Sequence, residues 1–190
     1  ANYVGGLVGY ANTIQNSYAT GDVLGSANYV GGLAGQVRDI SGTEASFATG
    51  SVTGGARVGG LAGQSNSGGT ISAAYATGHV VGSSSFVGGL IGYVNRTTVN
   101  NAYATGDVTS VTGNNVGGFA GQNDNGILNT PLSSGDVVGL AYVGGLLGSN
   151  GGAGQVVTGR STGSVTAMGS SRVGGFVGEN FGTISASTAS

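Results

Sequence analysis

Val58-Gly59-Gly60-Leu61 decides the fold, because the phrase is repeated seven times along the 190 residues. Val-Gly-Gly followed by Leu or Phe begins at Val4, Val30, Val58, Val87, Val116, Val143 and Val173, in steps of 26, 28, 29, 29, 27 and 30 residues. A period of this size marks stacked units, none of which can bury its apolar face alone. A second phrase, Tyr18-Ala19-Thr20-Gly21-Asp22-Val23, returns at constant length at 47–52, 75–80, 103–108, 132–137 and 160–165. Insertions fall between the phrases, in runs such as Ser65-Asn66-Ser67-Gly68-Gly69 and Val111-Thr112-Gly113-Asn114-Asn115. Gly, Asn and Ser clusters are turn chemistry, so these runs read as polar corners between fixed strands.

Helix is excluded. Apolar residues do not recur three and four positions apart, and each interior Gly would cost a helix roughly 1 kcal/mol. The fixed phrases are rich in Val, Ile, Thr and Tyr, as strands prefer. The expected fold is all-β: a parallel β-solenoid (β-helix-like) of about seven coils with a repeat of about 28 residues. Residues 1–190 read as a single repeat array, expected to be a segment of a longer protein. Coils stacked at about 4.8 Å would make it roughly 30 Å long.

Aligned copies predict which side chains stack. Ala19, Ala48, Ala76, Ala104, Ser133 and Ser161 form a column that admits only small residues and should face inward, as should the column Val23, Val52, Val80, Val108, Val137 and Val165. Ile14, Ile71, Val99, Leu128, Val156 and Ile184 form a third apolar column, interrupted at Thr43. Both parities of Val-Gly-Gly-Leu are apolar, which predicts a strand covered on both faces, with the Gly pair admitting a neighbouring layer. Asn12, Asn66, Asn95, Asn123, Asn150 and Asn180 are expected to form a hydrogen-bonded ladder near a corner.

Composition removes several functions. The 43 Gly residues show no triplet period, so the chain is not collagen-like, and 6% charged residues do not suit a disordered solvating chain. Net charge is −2, all five cations are Arg, and without a basic patch no nucleic acid is expected as a partner. There is no Cys. The most apolar stretch, 137–147, is Gly-broken and too short for a membrane span. Asp22, Asp107 and Asp136 share a column with Ser51, His79 and Ser164, so only Asp107 and Asp136 come from adjacent coils, while a calcium site needs six or more oxygens. The single His79 lacks a Glu-x-x-His context, Glu44 and Glu179 lie far apart, and no Walker Lys exists. Catalytic residues, metal ligands and cofactors are therefore expected to be none, and the chain is read as not an enzyme.

Two outward columns remain as a candidate ligand or partner face: the rings of Tyr18, Phe47, Tyr75 and Tyr103, and beside them the hydroxyls of Thr20, Thr49, Thr77 and Thr105. If Ala19 points inward, alternation turns both columns out. The rings would receive sugars or a protein partner; the alternatives are a ladder that merely stabilises the stack, or rings turned inward with the Ile14 column. A single rank of Thr flanked by rings is a poor ice-binding array.

The consensus Val-Gly-Gly-Leu-Val-Gly, Asn, Gly-Thr-Ile, Ser-Tyr-Ala-Thr-Gly-x-Val-x-Gly resembles the GLUG motif, seen most clearly at 4–25 and 58–82 and traceable over the whole chain. In the fifth and sixth copies Pro131-Leu132-Ser133-Ser134 and Gly159-Arg160-Ser161-Thr162 replace the Ser-Tyr-Ala-Thr run. The motif occurs in large bacterial surface proteins, including filamentous-haemagglutinin-like adhesins and some IgA-specific metallopeptidases. The resemblance implies an extracellular, cell-surface location and adhesion or scaffolding, and it carries no catalytic residues. The expected function is a non-catalytic structural and adhesive stalk or filament. Its partners would be further coils of the same chain, end-to-end copies, or host or matrix glycans and proteins. A carbohydrate-binding module is the alternative, with an ice-binding surface behind it.

Overall fold

The computed structural model describes residues 2–26, 28–169 and 172–190. It is a β-solenoid of seven coils in which every strand pairing among the described residues is parallel, as one sheet with seven strands, one from each coil, makes plain. The third coil shows the plan. Strand Val58–Gly59 leads through the Gly60-Leu61 corner into Ala62–Ser65, a polar turn precedes Thr70–Ser72, and the single residue Ala73 leads into Ala74–Ala76. Val80–Gly82 then returns toward the next Val-Gly-Gly.

Register places like upon like. Val58 lies between Val30 and Val87, Ile71 between Ile40 and Val99, Tyr75 between Phe47 and Tyr103, and Val80 between Val52 and Val108. Main-chain bonds step from coil to coil, as from the Leu33 amide to the Leu61 carbonyl (2.9 Å), from Leu61 to Leu90 (2.9 Å) and from Leu90 to Phe119 (2.8 Å). The sharp bend at Ala73 (φ 50°) recurs at Asn16, Asn101, Thr130, Thr158 and Ala186, each a single residue in the left-handed region.

Each coil encloses two cores. The larger contains Leu33, Leu61, Leu90, Phe119 and Leu146 from the corners, the Ile14–Ile71 column, and Ala48, Ala76 and Ala104. The smaller is made almost entirely of Val, with Val30, Val58, Val87, Val116 and Val143 facing Val52, Val80, Val108 and Val137. Val-Gly-Gly-Leu therefore serves both cores, Val from the end of one strand and Leu from the corner that follows it. Between them the Gly pair makes room for backbone: a Cβ on Gly59 would lie 2.8 Å from the Gly92 nitrogen and from the Leu90 carbonyl oxygen. Among the described residues only Gly42 and Gly68 hold a positive φ. The glycines of this chain are thus selected chiefly for space rather than for backbone freedom.

The small-residue column is equally constrained. Ala76 is 1% exposed, and its Cβ occupies the space that a Cβ on Gly60 would need. Ala76→Leu is expected to destabilise the stack by about 1–3 kcal/mol, because overpacking forces rotamers and backbone apart. A thermal melt shows the loss, and an unchanged melting temperature would place this column on the surface.

Three details differ from the sequence reading. The apolar column is unbroken, because Ile40 rather than Thr43 pairs with Ile14 and Ile71, and the extra residues of the second coil follow it. Val111-Thr112-Gly113-Asn114-Asn115 is not a free corner but part of the strand Val108–Gly117, which absorbs the insertion as a register shift between Ser110 and Asn114. The six Asn residues split into two positions. Asn123, Asn150 and Asn180 do stack, but that inward column continues through Val94, Ser65, Val37 and Ala11. Asn12, Asn66 and Asn95 stand one residue further on, where the alternation of a strand turns them away from the core.

Candidate functional site

Tyr18, Phe47, Tyr75 and Tyr103 form a ladder on the seven-stranded sheet. Their ring centroids are 5.0, 4.8 and 4.9 Å apart and their planes lie within 6°, 5° and 3° of parallel. Stacking follows from register: a side chain repeated at the same position in adjacent parallel coils meets its copy at the coil spacing. The rings cover one another's faces and turn their edges to solvent. Leu132 follows Tyr103 in the column and ends the ladder. Thr20, Thr49, Thr77 and Thr105 are exposed on the same face.

Beyond them lies the acidic column, whose carboxylates fasten one coil to the next. Asp22 accepts a hydrogen bond from the Ser51 amide (2.8 Å), Asp107 from the Asp136 amide (2.9 Å) and Asp136 from the Ser164 amide (2.9 Å). Those bonds from Ser164 hold the Asp136 carboxyl below the usual carboxylate range. His79 Nδ1 stands 3.5 Å from Asp107. Among the described residues no group of three or more His, Cys, Asp or Glu comes together to hold a metal.

The opposite side carries a second stripe that the aligned phrases hid. It consists of the residue before each Val-Gly-Gly and the residue that faces it across the Gly corner. In the first, fourth, fifth and seventh coils these pairs are an edge-to-face Tyr3–Tyr10 (6.1 Å), an edge-to-face Phe86–Tyr93 (5.5 Å), an Asn115–Gln122 hydrogen bond (2.9 Å) and an Arg172–Glu179 ion pair (2.9 Å). In the third coil the position belongs to Arg57. Its guanidinium carbon lies 5.1 Å from the Tyr29 ring centre, 5.4 Å from Phe86 and 5.2 Å from Tyr93. No consensus marks this stripe, since its residue types change from coil to coil. Its signal is the constant position beside an invariant phrase.

Tyr93 is the anchored member. Burial, and then the hydrogen bond it donates to Asp124 (2.8 Å), push its phenol from 10.0 up to about 12. The fold thus favours the neutral phenol. Its contribution to stability is complete below pH 10.0 and is lost as the pH rises through about 12. In an ultraviolet titration of the tyrosines, Tyr93→Phe is expected to remove the component that ionises last. An unchanged curve would mean that Asp124 does not hold the phenol.

A family model, the GLUG motif, matches residues 1–24 and 83–109. These are the first coil and the fourth, with the turn that enters it. No curated protein and no solved structure matches the chain.

Proposed function

We propose that this chain is a non-catalytic structural segment, a stalk or filament portion of an extracellular cell-surface protein. The reading rests on one observation above all: a single parallel sheet takes one strand from each of the seven coils, so each coil is stacked on the last. Such a body supplies length, stiffness and a repeated lateral surface. The two matches to the GLUG motif support a structural repeat. The segment adds about 30 Å to a stalk at the ordinary strand spacing.

Its end faces suit a further coil, from the same chain or from a second copy. Leu7 and Ile184 are 50% and 37% exposed at the two ends, whereas Leu33 and Val156 in the same columns are fully buried. A further coil would cover them and pair the open strand edges. Glycan binding through the Tyr18 ladder is less favoured, because the ring faces a sugar would use are occupied by neighbouring rings.

Antibody raised against the purified segment, applied to intact cells that make the parent protein, tests the location. Labelling without permeabilisation is expected, and labelling only after permeabilisation would refute the reading. Sedimentation of the isolated segment over a concentration series tests the end faces. Association that grows with concentration is the expected result, and a monomer throughout would remove the copy-on-copy contact.

A further inference from the structure

We propose that the outer face of the Val-built core is a docking surface for a second copy of this chain, turned end for end. The face is the outside of the sheet that contains Val52–Gly54 and Val80–Gly82.

Its composition sets it apart. Alternation sends two residues of each coil outward here, one and three places after the inward Val. The nearer column runs Leu24, Thr53, Val81, Thr109, Val138 and Thr166. The farther one has small residues in the first three coils (Ser26, Gly55, Ser83) and large apolar ones in the next three (Val111, Leu140, Met168). From each inward Val to the second residue before the next Val-Gly-Gly, none of these six coils carries a charge. Leu24, Val111 and Met168 are nonetheless 83%, 49% and 65% exposed. Large apolar side chains left open on an uncharged face mark a contact surface.

The shape of the face says what covers it. Ser26, Gly55 and Ser83 line a groove of about 490 Å³ together with Leu24, Thr53 and Val81. Val111, Leu140 and Met168 continue the same line as a ridge. A two-fold axis along the strands, passing between the third and fourth coils, lays the ridge of each copy into the groove of the other. Met168 then stands over Ser26, Leu140 over Gly55 and Val111 over Ser83. The nearer column sets Leu24 against Thr166, Val138 against Thr53 and Val81 against Thr109, so every pair joins an aliphatic side chain to a Thr. Large against small is how two packed sheets interdigitate. A contact of this kind is isologous, the same patch serving on both copies.

Charge agrees with shape. The column of Asp22, Asp107 and Asp136 borders the face, two residues before its nearer column. The same axis places Asp22 opposite Ser164, Asp136 opposite Ser51 and Asp107 opposite His79, so no carboxylate meets another. A pair with its coils running in the same direction would instead press Asp107 against Val111 and Asp136 against Leu140. That strips water from charges without pairing them.

Three columns over six coils cover roughly 500 Å² per copy at ordinary strand spacing. This is below the ~800 Å² per partner of a stable complex, so the pair is weak and forms as concentration rises. The two-fold closes at two copies, unlike growth through the end faces. A stalk needs no such lateral pairing, so failure of this inference would leave that reading intact.

Cross-linking of the whole segment tests it, because the chain has no Cys of its own. Thr53→Cys and Val138→Cys variants are mixed and treated with a short bismaleimide over a concentration series. The mixture is expected to yield at least ten times more cross-linked pair than either variant alone, since positions 53 and 138 of different copies face each other across this axis. In an end-to-end pair they would stand about four coil steps apart or more. Leu140→Glu added to the Val138→Cys variant should lower the yield at least tenfold, with Met168→Glu as the substitute if that protein fails to fold. Thr77→Glu, exposed on a different face, should leave the yield unchanged. The inference is overturned by the absence of any cross-linked pair, by equal yields from the mixture and the single variants, or by a yield that neither Leu140→Glu nor Met168→Glu lowers. It is overturned equally if Thr53→Cys alone gives the larger yield, which would mean that the copies pair with their coils running the same way.

Discussion

Gly59→Ala is expected to lose roughly 4 kcal/mol or more of stability, a large part of what a domain of this size possesses. The substitution adds one methyl group and demands no unusual φ, since Gly59 is not among the glycines with positive φ. The damage comes from the neighbours. The Gly92 nitrogen and the Leu90 carbonyl oxygen lie 2.8 Å from the new Cβ, with the Ala62 carbonyl oxygen closer still. All three are backbone atoms, those of Gly92 and Ala62 in strands and the Leu90 oxygen held by the Leu61 amide, so none can swing aside as a side chain would. Relief requires the coil to part from its successor, which breaks both cores at once. Gly21→Ala is the matched control, because a Cβ there meets nothing within 4 Å. It should be neutral or slightly stabilising through the unfolded chain. Melting curves followed by far-ultraviolet circular dichroism separate the two, and equal curves would show that the layers do not meet at Gly59.

Asn150→Ala is expected to cost about 3 kcal/mol, because it strands two buried polar partners, the Asn123 amide and the Gly154 carbonyl, and frees the exposed Asn180. Asn150 is fully buried and donates to the Gly154 carbonyl (3.2 Å) and to Asn180 (2.8 Å), while Asn123 donates to it (2.9 Å). Asn123 is tied in the same way to the Gly126 backbone, accepting from its amide at 3.0 Å. Ala leaves a void and unpaired groups with no water to satisfy them. Asn12→Ala, at an exposed position, should change stability by no more than about 0.5 kcal/mol. Chemical denaturation distinguishes them. Similar losses at both positions would restore a single Asn column through the whole stack.

That contrast marks where the sequence was legible. Columns set inside the two constant phrases, such as Val23–Val165 and Ala19–Ser161, lie where aligned copies put them, because neither phrase tolerates insertion. Residues beyond an elastic corner were misplaced. Thr43 falls in the Ile column when positions are counted back from the Ala phrase, but the extra residues of the second coil lie between Ile40 and that phrase, so Ile40 fills the site. The Asn residues were aligned by chemistry, and a slip of one residue sends a side chain to the other face of a strand. Strand geometry makes such errors complete rather than partial. The stripe with Tyr29, Arg57 and Phe86 was invisible for the opposite reason: its position is constant while its residues vary. Consensus reading finds what the fold requires, and this stripe is the part that the fold leaves free.

The bonds that run from Leu33 to Leu61 to Leu90 to Phe119 also set how the molecule yields under tension. They lie along the axis of the stack, so a pull on the two ends of the chain does not load the whole ladder in shear. It concentrates on the outermost coil, which peels off before the next bears load. Each coil released would free about 28 residues, replacing about 4.8 Å of stack with roughly 90 Å of extended chain. The body is stiff while intact, and beyond its threshold it lengthens in nearly equal increments, shedding strain one turn at a time.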